Sequence, residues 1–192
     1  ILHPSGIEDI LAMIQKNNVL TAITGSFLLP GPFLLIPLFL GIYYSLKSRH
    51  LPNAIMSLSF GILSVLMAII GQLFVYVLIG ITEKLVINPS SYEIMTITTI
   101  GNGIFLASKV AYSLFFLSLG FSILMCSAAT LRDRSTSKFG LFGLITGVFC
   151  ISAVTQHHLF ISVGSIFFLV WLVVISTKLF FHTFTTTQLQ PN

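Results

Sequence analysis

The sequence predicts an all-α fold, a polytopic transmembrane helical bundle of five spans that forms a single domain over residues 1–192. The first reason is composition: 55% of the residues are hydrophobic and 7% are charged, whereas soluble domains carry about 25% charged residues. The second is that five apolar stretches reach the about 17–25 residues of a membrane-spanning helix, the shortest of them over 139–155. The lipid bilayer is therefore the predicted partner of most of the surface.

The first predicted element is a short amphipathic helix over residues 7–16, before the spans begin. Ile7, Ile10, Leu11 and Ile14 recur at the spacing of one helical face, and the acidic residues lie elsewhere. About ten residues are too few to cross a bilayer. This helix is expected either at the membrane interface or over one end of the bundle.

The first predicted span, residues 19–46, is uncharged and interrupted by prolines. It contains Pro30, Gly31, Pro32 and Pro37, so its hydrogen-bond ladder is expected to kink or break. A break of this kind either shapes helix packing or marks a transport site. Both interpretations stay open at this point.

The third apolar stretch is too long for one crossing. Residues 94–131 contain one charge, Lys109, and would measure about 57 Å as a helix. A turn near Gly101-Asn102-Gly103 would divide the stretch into two thin spans. We favour one span over 109–130, because two spans would put the flanking basic loops on opposite sides of the membrane.

The other three spans follow from uncharged runs over residues 54–81, 139–155 and 159–181. Gln156-His157-His158 is the predicted connection between the last two. Trp171 lies well inside the last run and is expected to pack at depth.

Basic residues predict the orientation, because they favour the cytoplasmic ends of spans. With five spans, six cations fall on one face: Lys47, Arg49, Arg132, Arg134, Lys138 and Lys178. The N-terminal segment is therefore predicted to be non-cytoplasmic and the C-terminus cytoplasmic. The same pattern accounts for the net charge of +4, and the cations form no stripe, so no nucleic-acid partner is predicted.

Small residues at four-residue spacing predict where helices pack closely. Gly143 and Gly147 form such a pair with Gly140 one turn earlier, and Ser57 with Gly61 forms another. Ser118 and Ser122 follow the same pattern. These faces are expected to contact other helices of the chain or other membrane subunits.

Lys109 is the one charge inside a long apolar stretch, which makes it a candidate functional residue. The alternative is that its side chain reaches the lipid headgroups. Cys126 and Cys150 lie in apolar runs and are expected to be buried, reduced thiols. The sequence shows no catalytic motif and no histidine pair at ligand spacing, so no catalytic residue, cofactor or metal is predicted.

The stretch 131–147, a short basic loop followed by a glycine-rich span, resembles a small prokaryotic family of polytopic membrane proteins known only as a domain of unknown function, the 4386 type. Trp171-Leu172 resembles an aromatic-leucine pair in that family's last span, and 29–47 resembles its second helix. The family usually has a proline in the third loop, where this chain has Ser137-Lys138. The resemblance implies a prokaryotic cell membrane and a sixth helix before Ile1, and it transfers no activity.

The predicted function is that of a non-catalytic integral membrane protein, an accessory or structural subunit of a larger membrane complex. Its partners would be other membrane subunits bound through the small-residue helix faces. The alternative is a small transporter or channel that uses the proline-broken first span.

Overall fold

A computed structural model of the chain describes residues 30–84, 91–132, 137–155 and 157–187. The described residues form five α-helices and one short 3₁₀ turn, Ala153–Thr155. The helices are α1 (Pro30–Leu46), α2 (Leu51–Lys84), α3 (Ser91–Leu131), α4 (Ser137–Ser152) and α5 (His158–Thr187). No strand occurs among these residues, and the all-α prediction is confirmed. The predicted amphipathic helix at 7–16 lies outside the described residues.

Four helical segments are long and apolar enough to cross a membrane: Leu51–Ile81, Thr98–Leu131, Ser137–Thr155 and Leu159–Thr177. They correspond to the last four predicted spans and establish a helical membrane protein. Gly31–Leu46 is a shorter apolar helix, below the about 20 residues of a typical crossing. The rest of the first predicted span, residues 19–29, lies outside the described residues.

Helix α1 places three of the four predicted break residues in its first turn rather than in mid-span. Pro30, Gly31 and Pro32 begin the helix, where a missing N–H costs little because the first-turn donors have no helical partner. Only Pro37 lies inside α1, and the helix continues through it. A kink there follows from the lost bond to the Phe33 carbonyl, but no break in the ladder ends α1 before Leu46.

Helix α3 is continuous over 41 residues, about 60 Å at 1.5 Å per residue. The alternative with a turn at Gly101-Asn102-Gly103 is therefore wrong. The helix begins at Ser91 and its candidate membrane span at Thr98, both before residue 109, where the favoured span starts. The glycines weaken a helix without removing a donor, unlike proline, so nothing in this stretch interrupts the backbone bonds.

The chain divides into two compact units. One comprises residues 1–33 and 66–112, and the other comprises 34–65 and 113–192. Helices α2 and α3 each contribute to both. The second unit holds most of α1, the first part of α2, the last part of α3, and all of α4 and α5.

The last part of α3 forms the centre of the second unit. No side chain between residues 115 and 131 is exposed, and Leu119 and Ile123 are fully buried. The first part of the helix differs, with exposed residues such as Met95, Leu106 and Val110. Its last part is thus enclosed by the other helices of its own unit.

Candidate functional site

Two serines join α2 and α3 at the centre of the second unit. The Ser57 hydroxyl donates to the Ser122 carbonyl at 3.0 Å, and the Ser122 hydroxyl donates to the Ser57 carbonyl at 2.7 Å. Both side chains are buried, with exposed fractions of 1% and 0%. Because the serine side chain is small, the two backbones can come close enough for each hydroxyl to bond the other helix's carbonyl, and these bonds hold the two helices together.

The serine pair belongs to a longer antiparallel contact between the two helices. Asn53 donates from its amide Nδ2 to the Met125 carbonyl at 3.2 Å, and the rings of Phe60 and Phe121 lie 5.5 Å apart. Because Asn53 is close to the start of α2 and Met125 is close to the end of α3, loop 47–50 and the connection after Leu131 leave the helix pair at the same end.

Three glycines bring α4 against α3. All three predicted packing residues of α4, Gly140, Gly143 and Gly147, are buried. A Cβ atom on Gly147 would lie 2.7 Å from the Leu124 side chain and 3.0 Å from the Gly120 carbonyl oxygen. A Cβ on Gly143 would collide with the Ser127 hydroxyl, and one on Gly140 would lie 3.0 Å from the Ser127 carbonyl oxygen. Side chains at these positions would therefore force the helices apart.

Gly61, the other predicted packing glycine, faces α1. A Cβ there would lie 2.5 Å from the ring of Phe39, which is 1% exposed. The ring thus fills the space that the glycine leaves.

The small-residue faces are in this way occupied by helices of the same chain. The prediction that they also bind other subunits does not fit this arrangement, because the glycines and serines are buried inside one unit. A partner subunit would have to use another surface.

Helix α5 packs on α4 through rings and through one further glycine, Gly164. A Cβ on Gly164 would lie 3.1 Å from the Phe149 carbonyl oxygen. The Phe167 ring stacks on those of Phe142 and Phe149, with centroids 5.9 and 5.0 Å away. Trp171 is 3% exposed, which agrees with its predicted packing at depth.

A pocket opens where α3, α4 and α5 meet. Its walls are Cys126, Ser127 and Thr130 from α3, Phe139 from α4, and Trp171, Val174 and Ile175 from α5. The pocket with its mouth contains about 330 Å³ of empty space. Its enclosed part has room for about one water molecule. The Ser127 and Thr130 hydroxyls donate to backbone carbonyls of α3, at 2.7 and 2.9 Å.

The outward side of α5 is the least covered surface among the four spans. Only 11% of its apolar window is buried, against 33% for Leu51–Ile81, 44% for Thr98–Leu131 and 33% for Ser137–Thr155. The exposed residues of 159–177 all lie on one side of the helix, which we call the α5 outer face: Leu159, Ser162, Ile166, Leu169, Val170, Val173 and Thr177. Trp171 and Gly164 lie on the opposite side.

Lys109 is exposed, and its Nζ lies 4.4 Å from the centroid of the Phe105 ring. The residue is about 33 Å from Leu131 along α3. Both interpretations of Lys109, a functional charge and a side chain that reaches the headgroups, stay predictions.

Buried polar groups also occur in the first unit, on α2. Gln72 is 7% exposed, and the Tyr76 hydroxyl one turn later is buried without a hydrogen-bond partner among the described residues. Gly71 lies against Tyr112, whose ring would be 3.3 Å from a Cβ on the glycine. These positions could not be identified from the sequence, because polar residues in a long apolar run give no signal of which neighbours they meet.

The remaining candidate groups in the described part of the chain are the histidines, the acidic residues and two cysteines. This part contains no group of three or more His, Cys, Asp or Glu side chains placed to hold a metal. Cys126 and Cys150 are buried and form no disulfide. The Cys150 thiol lies 4.0 Å from the Gly164 carbonyl oxygen, within the α4–α5 contact.

Fold and site together define the class: an all-α integral membrane protein whose small residues hold its own helices together. No family model, no curated protein and no solved structure matches the chain. The resemblance seen in residues 131–147 therefore stays a prediction.

Proposed function

We propose that this protein is a non-catalytic accessory or structural subunit of a larger membrane complex, and that it binds its partner through the α5 outer face. The observation that carries this proposal is the low coverage of α5. The other three spans are covered three to four times as much by their own chain. A helix that contributes one side to its own bundle has its other side available to a neighbour.

The spacing of the α5 outer face favours a helix as that neighbour. Leu159, Ser162, Ile166, Leu169 and Val173 follow each other at alternating steps of three and four residues. This is the repeat with which two helices interlock along a shared seam. Leu169 and Ile166 are about 60% exposed, so they are available as large side chains for a partner's grooves.

Ser162 adds a polar contribution to the α5 outer face. A serine hydroxyl in a helix can donate to a carbonyl of its own helix, and another helix packed on this face can offer a further backbone acceptor. Lipid alone would be satisfied by a purely apolar surface.

We propose further that the protein lies in a prokaryotic cell membrane with its N-terminal segment non-cytoplasmic and its C-terminus cytoplasmic. The Asn53–Met125 contact supports this orientation, because it brings the loop with Lys47 and Arg49 to the same end as Arg132 and Lys138. Clustered cations favour the cytoplasmic side.

Crosslinking with paired variants tests the partner surface. A photoreactive residue at Ile166 on the α5 outer face is compared with one at Leu106, which is similarly exposed on α3. We expect Ile166 to give one discrete protein adduct and Leu106 to give only lipid adducts. The double variant Ile166→Ala/Val173→Ala should also shrink the gently solubilised native complex, and Leu106→Ala/Val110→Ala should not. A monomer in the wild type, with lipid adducts at both positions, would contradict the proposal.

Thiol labelling in sealed vesicles tests the orientation separately. Ser48→Cys and Ser137→Cys should react only with reagent on the cytoplasmic side. Thr155→Cys, an exposed position between α4 and α5, should react only from the other side. The native thiols are buried and give little background. Labelling of positions 48 and 137 from opposite sides would show that the span count is wrong.

A small transporter or channel is the second candidate, and the buried Tyr76 hydroxyl on α2 is the observation that favours it. A buried hydroxyl without a hydrogen-bond partner among the described residues is expensive in an apolar bundle unless it serves a solute. If this hydroxyl lines a path, Tyr76→Phe should change solute flux into reconstituted vesicles. Flux equal to that of empty vesicles, for ions and small polar solutes alike, would remove this candidate.

A further inference from the structure

One contact fixes the level on α3 at which α4 ends. The Ser113 hydroxyl donates to the Val154 carbonyl at 3.5 Å, and Val154 belongs to the 3₁₀ turn that follows α4. Ser113 therefore lies level with the far end of that span. Helix α3 begins at Ser91, about 33 Å from Ser113 along its own axis.

The length of α4 indicates where the membrane ends. The span Ser137–Thr155 contains 19 residues, about 28 Å of helix, which matches a hydrocarbon layer of about 30 Å. The headgroups add about 5–8 Å on each side. Residues 91–100 of α3, which we call the α3 outer end, lie about 20 Å or more from Ser113 along the helix. This stretch is therefore expected in water, past the headgroups.

The α3 outer end combines exposed apolar side chains with a weak helix propensity. Met95 is 72% exposed and Ile100 is 51% exposed. Thr96 and Thr99 are exposed as well, and threonine favours a helix less than most residues do. A helix in water is stabilised mainly by the packing of an apolar face. The continuity of α3 through this stretch therefore indicates that another segment covers it.

The N-terminal segment joins α1 near the base of the α3 outer end. Phe39 lies against Gly61, and α1 and α2 are antiparallel because only a short loop joins them. Pro30 is about 14 Å before Phe39 on α1, and Gly71 is about 15 Å after Gly61 on α2. Gly71 in turn lies against Tyr112. The chain therefore enters α1 at the level at which α4 ends.

We propose that residues 7–16 form a helix that packs its apolar face on the α3 outer end, outside the membrane. The apolar face of this segment consists of Ile7, Ile10, Leu11 and Ile14. About ten residues of helix measure about 15 Å, the same length as the α3 outer end. Residues 17–29 can bridge about 40 Å when extended, which is enough to reach α1. This tether gives the segment an effective concentration on the order of 1 mM, which favours it over a separate partner.

Disulfide crosslinking of the full chain in membranes tests the contact. Ile10→Cys on the apolar face is paired with Ile100→Cys on the α3 outer end. The matched control pairs Ile100→Cys with Ala12→Cys, which lies on the opposite side of the same helical segment. We expect the first pair to crosslink within one chain several-fold faster than the control. Ile10→Cys with Leu169→Cys, on the α5 outer face, should not crosslink.

Labelling with a membrane-impermeant thiol reagent, applied to opened membranes, tests the location and the cover together. Ile100→Cys should react slowly in the otherwise unchanged chain. The double substitution Ile10→Asn/Ile14→Asn removes most of the apolar contact and should raise the labelling rate at least about tenfold. Ile145→Cys, at a position 42% exposed on α4, is the lipid-facing control and should stay unreactive in both backgrounds.

Three results would overturn the proposal. Equal crosslinking of Ile10→Cys and Ala12→Cys to Ile100→Cys would mean that the segment is not bound through its apolar face. A crosslink between two chains instead of within one would mean that a second copy covers the α3 outer end. A labelling rate of Ile100→Cys that Ile10→Asn/Ile14→Asn leaves unchanged would mean that lipid, another partner or nothing covers this stretch.

Discussion

The face of α4 that meets α3 and the α5 outer face are both apolar, yet they differ in side-chain size. Gly140, Gly143 and Gly147 form the first and are buried. Ile166 and Leu169 belong to the second and are about 60% exposed. In water, the larger side chains would be the buried ones. Here the order is reversed.

The reversal follows from the solvent. Lipid tails are as apolar as leucine, so burial of a large side chain against another helix gains little over its exposure to lipid. Close backbone approach and short hydrogen bonds such as Ser57 to Ser122 are then what distinguishes inside from outside. On these two faces, small residues mark the contact within the chain, and large ones mark where it meets lipid or a partner.

The largest expected effect is at the glycine face. Gly147→Leu places a side chain within 3.0 Å of the Gly120 carbonyl, so the backbones must separate. We expect a loss of at least about 1–3 kcal/mol in the free energy of unfolding, measured by denaturant titration in detergent. The control is Gly103→Leu, since a Cβ on Gly103 meets nothing within 4 Å. Equal losses of unfolding free energy for Gly147→Leu and Gly103→Leu would contradict the claim that the glycine face of α4 requires close backbone approach.

The serine pair should show a smaller, mutual effect. A double-mutant cycle of Ser57→Ala and Ser122→Ala should give a coupling free energy of about 0.6–1.7 kcal/mol, the range found for hydrogen bonds between membrane helices. Thr99→Ala is the control, because the Thr99 hydroxyl donates to the Met95 carbonyl of its own helix. Additive losses at Ser57 and Ser122 would show that the reciprocal bonds contribute nothing jointly.

Lys109→Met should cost less again. The exposed ammonium lies over the Phe105 ring, a contact worth about 0.5–1 kcal/mol at exposed sites. Once Lys109→Met has removed this contact, adding Phe105→Leu should cause no further loss of unfolding free energy from it. A loss of several kcal/mol would instead indicate a buried charge with an essential partner.

The smallest expected effect is at the α5 outer face. Leu169→Ala should leave the unfolding free energy of the isolated chain within about 0.5 kcal/mol of wild type, as for other surface positions. Leu119→Ala, at a position 1% exposed, is the buried counterpart and should cost more than Leu169→Ala, because it leaves a cavity between packed helices. Similar losses at the two leucines would mean that α5 is more enclosed than the structure shows.

Helix identity was largely predictable from the sequence, because uncharged runs have few alternatives in a chain this apolar. Residues 54–81 and 139–155 match α2 and α4 within a few positions. Helix α3 extends well before the predicted span over 109–130, because glycines and threonines do not end a helix unless proline or solvent competes for the backbone. The effect of the proline cluster could not be decided from the sequence, because Pro30 is equally compatible with a kink and with a helix start.

The site was predictable only in part. Spacing identified the packing residues Gly143 and Gly147 but not their neighbour, since a periodic pattern describes one helix surface and carries no information about the opposite one. Ser127 and Gly120 lie against those glycines, but they are not spaced four residues apart and so form no small-residue pair. The pocket draws on three helices far apart in the sequence, so only the folded arrangement reveals it.

The connection between α4 and α5 has a consequence for biosynthesis. The 3₁₀ turn Ala153–Thr155 is followed within a few residues by His158, so the two helices form a tight hairpin. The α4 segment has a mean hydropathy of 1.7 and the α5 segment 2.6. Insertion by the translocon depends on the hydrophobicity of each segment. The glycines that let α4 pack closely on α3 also lower its hydrophobicity, so α4 by itself is expected to insert poorly. Nascent α4 is therefore expected to remain at the translocon until α5 is synthesised, and to partition into the bilayer together with α5.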